Sequence, residues 1–301
     1  MRFNLDKFKC ALPLHLMMLP AVVLTIIYRY IPMAGILIAF QKFTPARGLF
    51  GSPWVGLKNF EFLFMLPNIW QVIYNTLYIS ILKIIIGLII PIIVAILLNE
   101  VRKQWFLRTA QTLVFLPYFI SWVLLAGIFR DILSPDGGIV NSILGVFGVD
   151  PIYFLGDNKW FRFVLILTDT WKNYGFNTVV YLAALTGISI DLYEAAEMDG
   201  ANRWQQTLHI TLPGMMPMIL LLTTLSVGGV LNAGFDQVFN LYGPAVYQTG
   251  DIIDTLTYRI GIVKADYSLS TAISVIKSAV SFILLTSSYL IAHKYADYRI
   301  F

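Results

Sequence analysis

Six long apolar runs, separated by more polar breaks, organise the chain. They lie at about 12–28, 72–98, 109–129, 161–185, 213–231 and 271–292. A helix that crosses a bilayer needs roughly 20 apolar residues, so the pattern predicts six membrane-spanning helices. Composition supports it: 58% of the residues are hydrophobic and 13% are charged, where soluble domains carry about a quarter charged. Mean hydropathy is +0.74. The expected fold is all-α, a single membrane domain over 1–301 with no soluble domain attached.

Arg2, Lys7 and Lys9 precede the first run, and no small-x-small cleavage site follows it. That run is expected to be a retained first span rather than a signal peptide. Counts of Lys and Arg do not separate the two sides, but Arg102, Lys103 and Arg108 cluster in the shortest loop. Positive residues favour the cytoplasmic side, which predicts a multi-pass chain with both termini cytoplasmic. The outer segments then fall at about 29–71, 130–160 and 232–270, and they hold turn chemistry such as "SPDGG" at 134–138.

Several function classes lack their residues. There is no G-x-x-x-x-G-K-[ST] loop to cradle a nucleotide and no G-x-S-x-G elbow. His15, His209 and His293 are too scattered to form a ligand pair, and Cys10 is the only cysteine, so neither a disulfide nor a thiolate metal cluster is expected. The chain is read as neither an enzyme nor a metal protein, and nucleic acid is not an expected partner.

One break is unlike the others. "EAAEMDGANRWQQTLHITLP", 194–213, is acid-led and amphipathic. Asp191 is positioned to cap a short helix with Glu194 three residues on, a capping-box spacing. Gly200 suits a left-handed helix end. Asn202 with Gln205 suits the cap of a second short helix, and Pro213 suits the first turn of the fifth span. An elbow over 186–212 is predicted; the plain alternative is a solvated loop on the lipid surface.

The identities within that elbow go further than their spacing. Glu194-Ala195-Ala196, Asp199-Gly200-Ala201 and Ile210-Thr211-Leu212-Pro213 resemble the signature of permease subunits of bacterial binding-protein-dependent ABC importers. "GSPWVGLKNFEFLF" at 51–64, "NTLYIS" at 75–80, "LPYFISWV" at 116–123 and "SPDGGIVN" at 134–141 are similar to carbohydrate importers of the maltose-permease-like superfamily. "FDQVFNLYGPAVYQTGDIIDTLTYRIGI" at 235–262 resembles the subgroup that takes up oligosaccharides or polysaccharide fragments.

The resemblance implies a type I importer permease: six spans and a cytoplasmic coupling elbow docked on an ATPase. Glu194, Ala195, Ala196, Asp199, Gly200, Ala201 and Pro213 are then the ATPase-coupling residues. It implies a second, related permease, two cytoplasmic ATPase subunits that bind ATP and Mg, and an extracytoplasmic solute-binding lipoprotein, all in a bacterial cytoplasmic membrane. No cofactor is expected in this chain. The rivals are an importer of another solute in the same superfamily and, in a different class, a secondary transporter, which internal inverted repeats would mark.

Charges inside spans are costly and usually face a partner, cavity or pathway; here they include Lys83, Asp169, Lys172 and Lys277, with Asp236 just past span five. In "TDTWKNYGFN", Asp169, Lys172, Asn173, Phe176 and Asn177 share one helical face of about 140°. Asp169 and Lys172, at i and i+3, are expected to neutralise each other. Tyr118, Ser121 and Trp122 in span three, with Asn232, Phe235, Asp236 and Gln237 at the exit of span five, complete the candidate substrate pathway. The alternative is that such residues join helix to helix, at under about 2 kcal/mol each.

Overall fold

The computed structural model describes Leu5–Ala296, with side chains over 12–291 and at Lys294. Arg2, the side chains of Lys7, Lys9, Cys10 and His293, and the placement of the two ends lie outside the described residues. Every regular element described is helical, apart from one isolated antiparallel bridge between Gln41 and Trp54. Four helices are long and apolar enough to cross a membrane, or up to six if two bent pairs each count as one span. The chain divides into two compact units: residues up to Leu66 with Thr257–Ile276, and Pro67–Leu256 with the segment from Lys277 onward.

In the first unit, α1 (Leu5–Thr25) runs on through a widened π turn at Ile26–Tyr30 and a tight 3₁₀ stretch at Ala34–Phe40. The crossing stretch is Leu12–Phe40, well past the expected end near Tyr28. Tyr28-Arg29-Tyr30 interrupts the apolar run but not the helical backbone. Phe40 stacks on Trp54 at 5.6 Å, and the Asn59 amide donates to the carbonyls of Ala39 and Gln41 at 2.8 and 3.0 Å. These contacts fasten the loop at the end of the span.

The second unit holds α2 (Ile69–Asn99), α3 (Gln104–Phe115), α4 (Trp122–Ile132), α5 (Phe161–Leu185) and α6 (Ile190–Met198). It continues with α7 (Arg203–Gln206), α8 (Leu212–Gly228) and α9 (Phe235–Leu241). The last helix, α10 (Tyr267–Ala296), begins in the first unit and ends in the second. The α2 and α5 helices pack along much of their length. Ile79, Phe161, Leu165, Val238 and Ile252 centre one core; Ala95, Tyr181, Leu185 and Met215 form another. Lipid is as apolar as leucine, so these cores gain from close packing rather than from escape from water. Gly175 illustrates it: a Cβ there would run into the Val114 carbonyl, so glycine lets α5 approach α3.

Two expected spans take a different form. The stretch 109–129 is not one helix, because α3 with its 3₁₀ extension Leu116–Phe119 meets α4 at 101°. Pro117 has no N–H to continue the helix, Ile120 and Ser121 are extended, and Ser121 Oγ accepts from Leu124 N–H to start α4. The fifth crossing stretch begins at Arg203, earlier than expected, and ends at Gly228; Pro213 stands in the first turn of α8, as expected, with a short helix and a π turn ahead of it. A π turn at Thr207–Thr211, in which Leu212 N–H bonds to the Thr207 carbonyl, shifts the hydrogen-bond register just ahead of the proline.

Candidate functional site

Two places in the second unit concentrate the polar chemistry. The first is the elbow after α5, where α6 turns away by 72°. Its cap is Ser189, whose Oγ accepts from Asp191 N–H, and not Asp191 itself. The helix begins two residues earlier than the acid spacing suggested, which puts Asp191 inside the first turn. Its end follows the glycine rule. Gly200 has φ +78°, its N–H bonds to the Glu197 carbonyl at 3.0 Å, and Ala201 N–H reaches the Ala196 carbonyl at 2.8 Å. Those two bonds are a Schellman motif.

Asn202 and Gln205 form the expected capping box at 2.9 and 2.8 Å. Tyr193 OH and Thr211 Oγ1 lie 3.0 Å apart, tying α6 to the following helix. The elbow's outward side holds Glu194, Glu197 and Asp199 with Met198, 89% exposed, and Trp204, 69% exposed. Acids mixed with large exposed apolar side chains suit a protein partner.

The second place is a cavity of about 320 Å³ between α2, α5, the 3₁₀ turn before α4 and the turn after α8. Of the candidate pathway residues, Tyr118, Asp169, Asn173, Asn177 and Asn232 all line it. The Tyr118 and Phe176 rings stack in its wall, 4.7 Å apart and 16° from parallel. Ser80 and Thr170 also belong to the lining, and their buried Oγ and Oγ1 atoms have no protein hydrogen-bond partner.

The other candidates have different employment. Ser121 caps α4, and Trp122 packs on the first core. Asp236 is exposed on the first turn of α9, outside the cavity lining. Gln237 has no exposed surface; its amide donates to the Leu165 carbonyl and to Thr168 Oγ1, each at 2.7 Å. Lys172 is buried and turned to the helix break, donating to the Tyr118 carbonyl at 2.6 Å and the Pro117 carbonyl at 3.4 Å. Its charge lies 5.5 and 5.8 Å from the ring centres of Tyr118 and Trp122, a cation–π arrangement.

The expected Asp169–Lys172 pair is therefore corrected. Asp169 pairs with Lys83 across two helices at 3.2 Å. The same ammonium donates to the Ala233 carbonyl at 2.7 Å and to Gln237 Oε1. Gly234, at φ +94°, makes room for it: a Cβ would sit 3.1 Å from Lys83 Nζ. Lys277 likewise pairs with Asp254. Sequence flagged Lys83 as an intramembrane charge, but nothing local reveals a partner 86 residues away. Ser80, Thr170 and Ser226 were missed because small hydroxyls in apolar helices carry no pattern.

Residues 87–301 match the family described as "Binding-protein-dependent transport system inner membrane component". The chain belongs to that family. The permease is 40% identical over 288 residues to the polygalacturonan/rhamnogalacturonan transport system permease protein YteP of Bacillus subtilis (strain 168), covering 96% of this chain and 90% of that one. It is 37% identical to protein LplB of the same organism, over 96% and 91% of the two chains. Among solved structures, a bacterial ABC transporter that imports the acidic polysaccharide alginate is similar, with TM-score 0.90, 36% identity and 96% and 98% coverage. A bacterial alginate ABC transporter in complex with its alginate pentasaccharide-bound periplasmic protein gives 0.91, 35%, and 99% of each chain. The permease is thus an inner-membrane component of a binding-protein-dependent transport system, and its all-helical fold is that of ABC importer permeases.

Proposed function

We propose that the permease forms part of the translocation pathway for an oligosaccharide or polysaccharide fragment. The observation that carries this is the cavity: Asp169, Asn173, Asn177 and Asn232 converge on one space beside the stacked rings of Tyr118 and Phe176. Sugar hydroxyls need donors and acceptors at close range, and aromatic faces cover the C–H surfaces of the ring. The similarity to sugar-transport permeases and to alginate importers supports the same cargo class. The cargo reaches the cavity from an extracytoplasmic solute-binding protein, as the alginate complex suggests by analogy.

The elbow is the coupling element. Its acids and exposed Met198 and Trp204 dock a cytoplasmic ATPase subunit, one of two, which binds ATP and Mg. Glu194, Ala195, Ala196, Asp199, Gly200 and Ala201 lie on or beside that contact, whereas Pro213 sits in the first turn of α8 and acts through the helix. A second, related permease completes the pathway, and both termini are cytoplasmic. The test is purification from the native membrane followed by reconstitution. An ATPase subunit should co-purify, and uptake should stop when ATP is withheld. Uptake that persists without ATP, driven by an ion gradient, would make the protein a secondary transporter.

A further inference from the structure

The charges around the cavity are not equally available to a ligand, and their arrangement bears on which sugars enter. Two cations and one anion stand at or near the wall. A lysine ammonium has three protons to donate and no acceptor. Lys83 gives all three to protein: to Asp169 Oδ1, to the Ala233 carbonyl and to Gln237 Oε1. Its side chain is 9% exposed. Lys172 is turned away, its protons given to the Tyr118 and Pro117 carbonyls and its charge against two aromatic rings.

Asp169 differs from both. Only its Oδ1 is engaged by Lys83, no described residue bonds Oδ2, and its side chain is 21% exposed at the cavity wall. Apart from Lys83 the remaining polar lining is neutral: the amides Asn173, Asn177 and Asn232 and the hydroxyls of Ser80, Thr170, Ser226, Tyr118 and Tyr174. Lys83 borders the same space, but its protons are all engaged by protein, so the charged group that offers a ligand a free hydrogen-bonding position on this wall is the Asp169 carboxylate.

We infer that this wall selects a neutral, hydroxyl-bearing sugar unit and disfavours a uronate, and that Asp169 is the specificity-determining residue. The inference rests on the reading of the cavity as the cargo site. A carboxylate oxygen with free lone pairs accepts hydrogen bonds from sugar hydroxyls, and charge assistance makes those bonds stronger than neutral ones. A uronate carboxylate has no proton to offer it at neutral pH and brings a like charge, which works against discrimination in its favour. A mixed polymer would place a neutral unit here and its acidic units elsewhere along the path.

The test measures binding to the assembled importer in lipid nanodiscs, without binding protein, by equilibrium dialysis. The probes are trigalacturonate, its methyl ester and galactotriose. The ester removes the charge and nearly keeps the shape, so it needs no mutant. The expected result is that ester and galactotriose bind at least tenfold more tightly than the free acid. Asp169→Asn should collapse the ester-to-acid ratio to within about threefold, and Asp169→Glu should keep it. Equal affinity of wild type for ester and acid, or a ratio that survives Asp169→Asn, overturns the inference and leaves the cargo site standing. Binding of all three probes that ignores Asn173→Ala and Asn232→Ala overturns the cavity reading itself, and the inference with it.

Discussion

Replacing Lys83 by methionine isolates an ammonium that joins three polar partners in the second unit. The substitution keeps length and apolar stem and removes only the ammonium. Asp169 loses its ion-pair partner at 3.2 Å, while the Ala233 carbonyl and Gln237 Oε1 lose their donor. Removing one member of a buried pair costs about 3–5 kcal/mol. Asp169 keeps some exposure, so the lower end, about 3 kcal/mol, applies to the charge. Two acceptors left unpaired add about 1 kcal/mol each, again at the low end. The sum is about 5 kcal/mol, and at about 2 °C per kcal/mol for a chain of this class the midpoint falls by about 10 °C. The assay is thermal unfolding of the purified complex, with Lys83→Met, Asp169→Asn and the double variant in one cycle. Neutralising both partners should recover about 2 kcal/mol, because no unpaired charge remains. A Lys83→Met midpoint within about 2 °C of wild type, or a double variant equal to the sum of the singles, refutes the lock.

Other predictions test the surrounding framework. Gly200→Pro fixes φ near −65° where the chain needs +78° and removes the N–H bonded to Glu197, so it should abolish ATPase co-purification while the spans still insert; normal cargo-stimulated hydrolysis would contradict it. Gly234→Ala places a Cβ 3.1 Å from Lys83 Nζ at φ +94° and should cost about 1–3 kcal/mol by thermal unfolding; an unchanged midpoint would deny the close approach. In a Cys10→Ser background, cysteine at 54 or 247 should react with a membrane-impermeant reagent in intact cells, and cysteine at 205 only after the membrane is opened. Labelling at 205 in intact cells would invert the topology.

Legibility in the sequence followed the range of the interaction. The end of α6 and the start of α7 were readable because Gly200, Asn202 and Gln205 act within a few residues of themselves. The start of α6 was not, since Ser189 and Asp191 are both competent caps and only the turn out of α5 decides between them. The break before α4 carried a proline, but Pro13, Pro20 and Pro91 sit inside continuous helices, so Pro117 alone was no signal. What holds that break is Lys172, reaching across from α5. The face containing Asp169, Asn173 and Asn177 followed from helical period. Which of its neighbours stay buried did not, because Gln237 and Lys83 are set by packing between helices far apart in the chain.

The central claim is that the cavity carries cargo, and uptake measures it most directly. Importer reconstituted in proteoliposomes, with ATP inside and a loaded binding protein outside, is compared with the Asn173→Ala/Asn232→Ala variant. Each lost hydrogen bond to a sugar hydroxyl weakens binding by about 1 kcal/mol, and 1.4 kcal/mol is a factor of ten. The account predicts that uptake at limiting cargo falls at least tenfold while subunit composition and basal ATP hydrolysis are retained. Uptake equal to wild type across the cargo range, in a fully assembled complex, would contradict it.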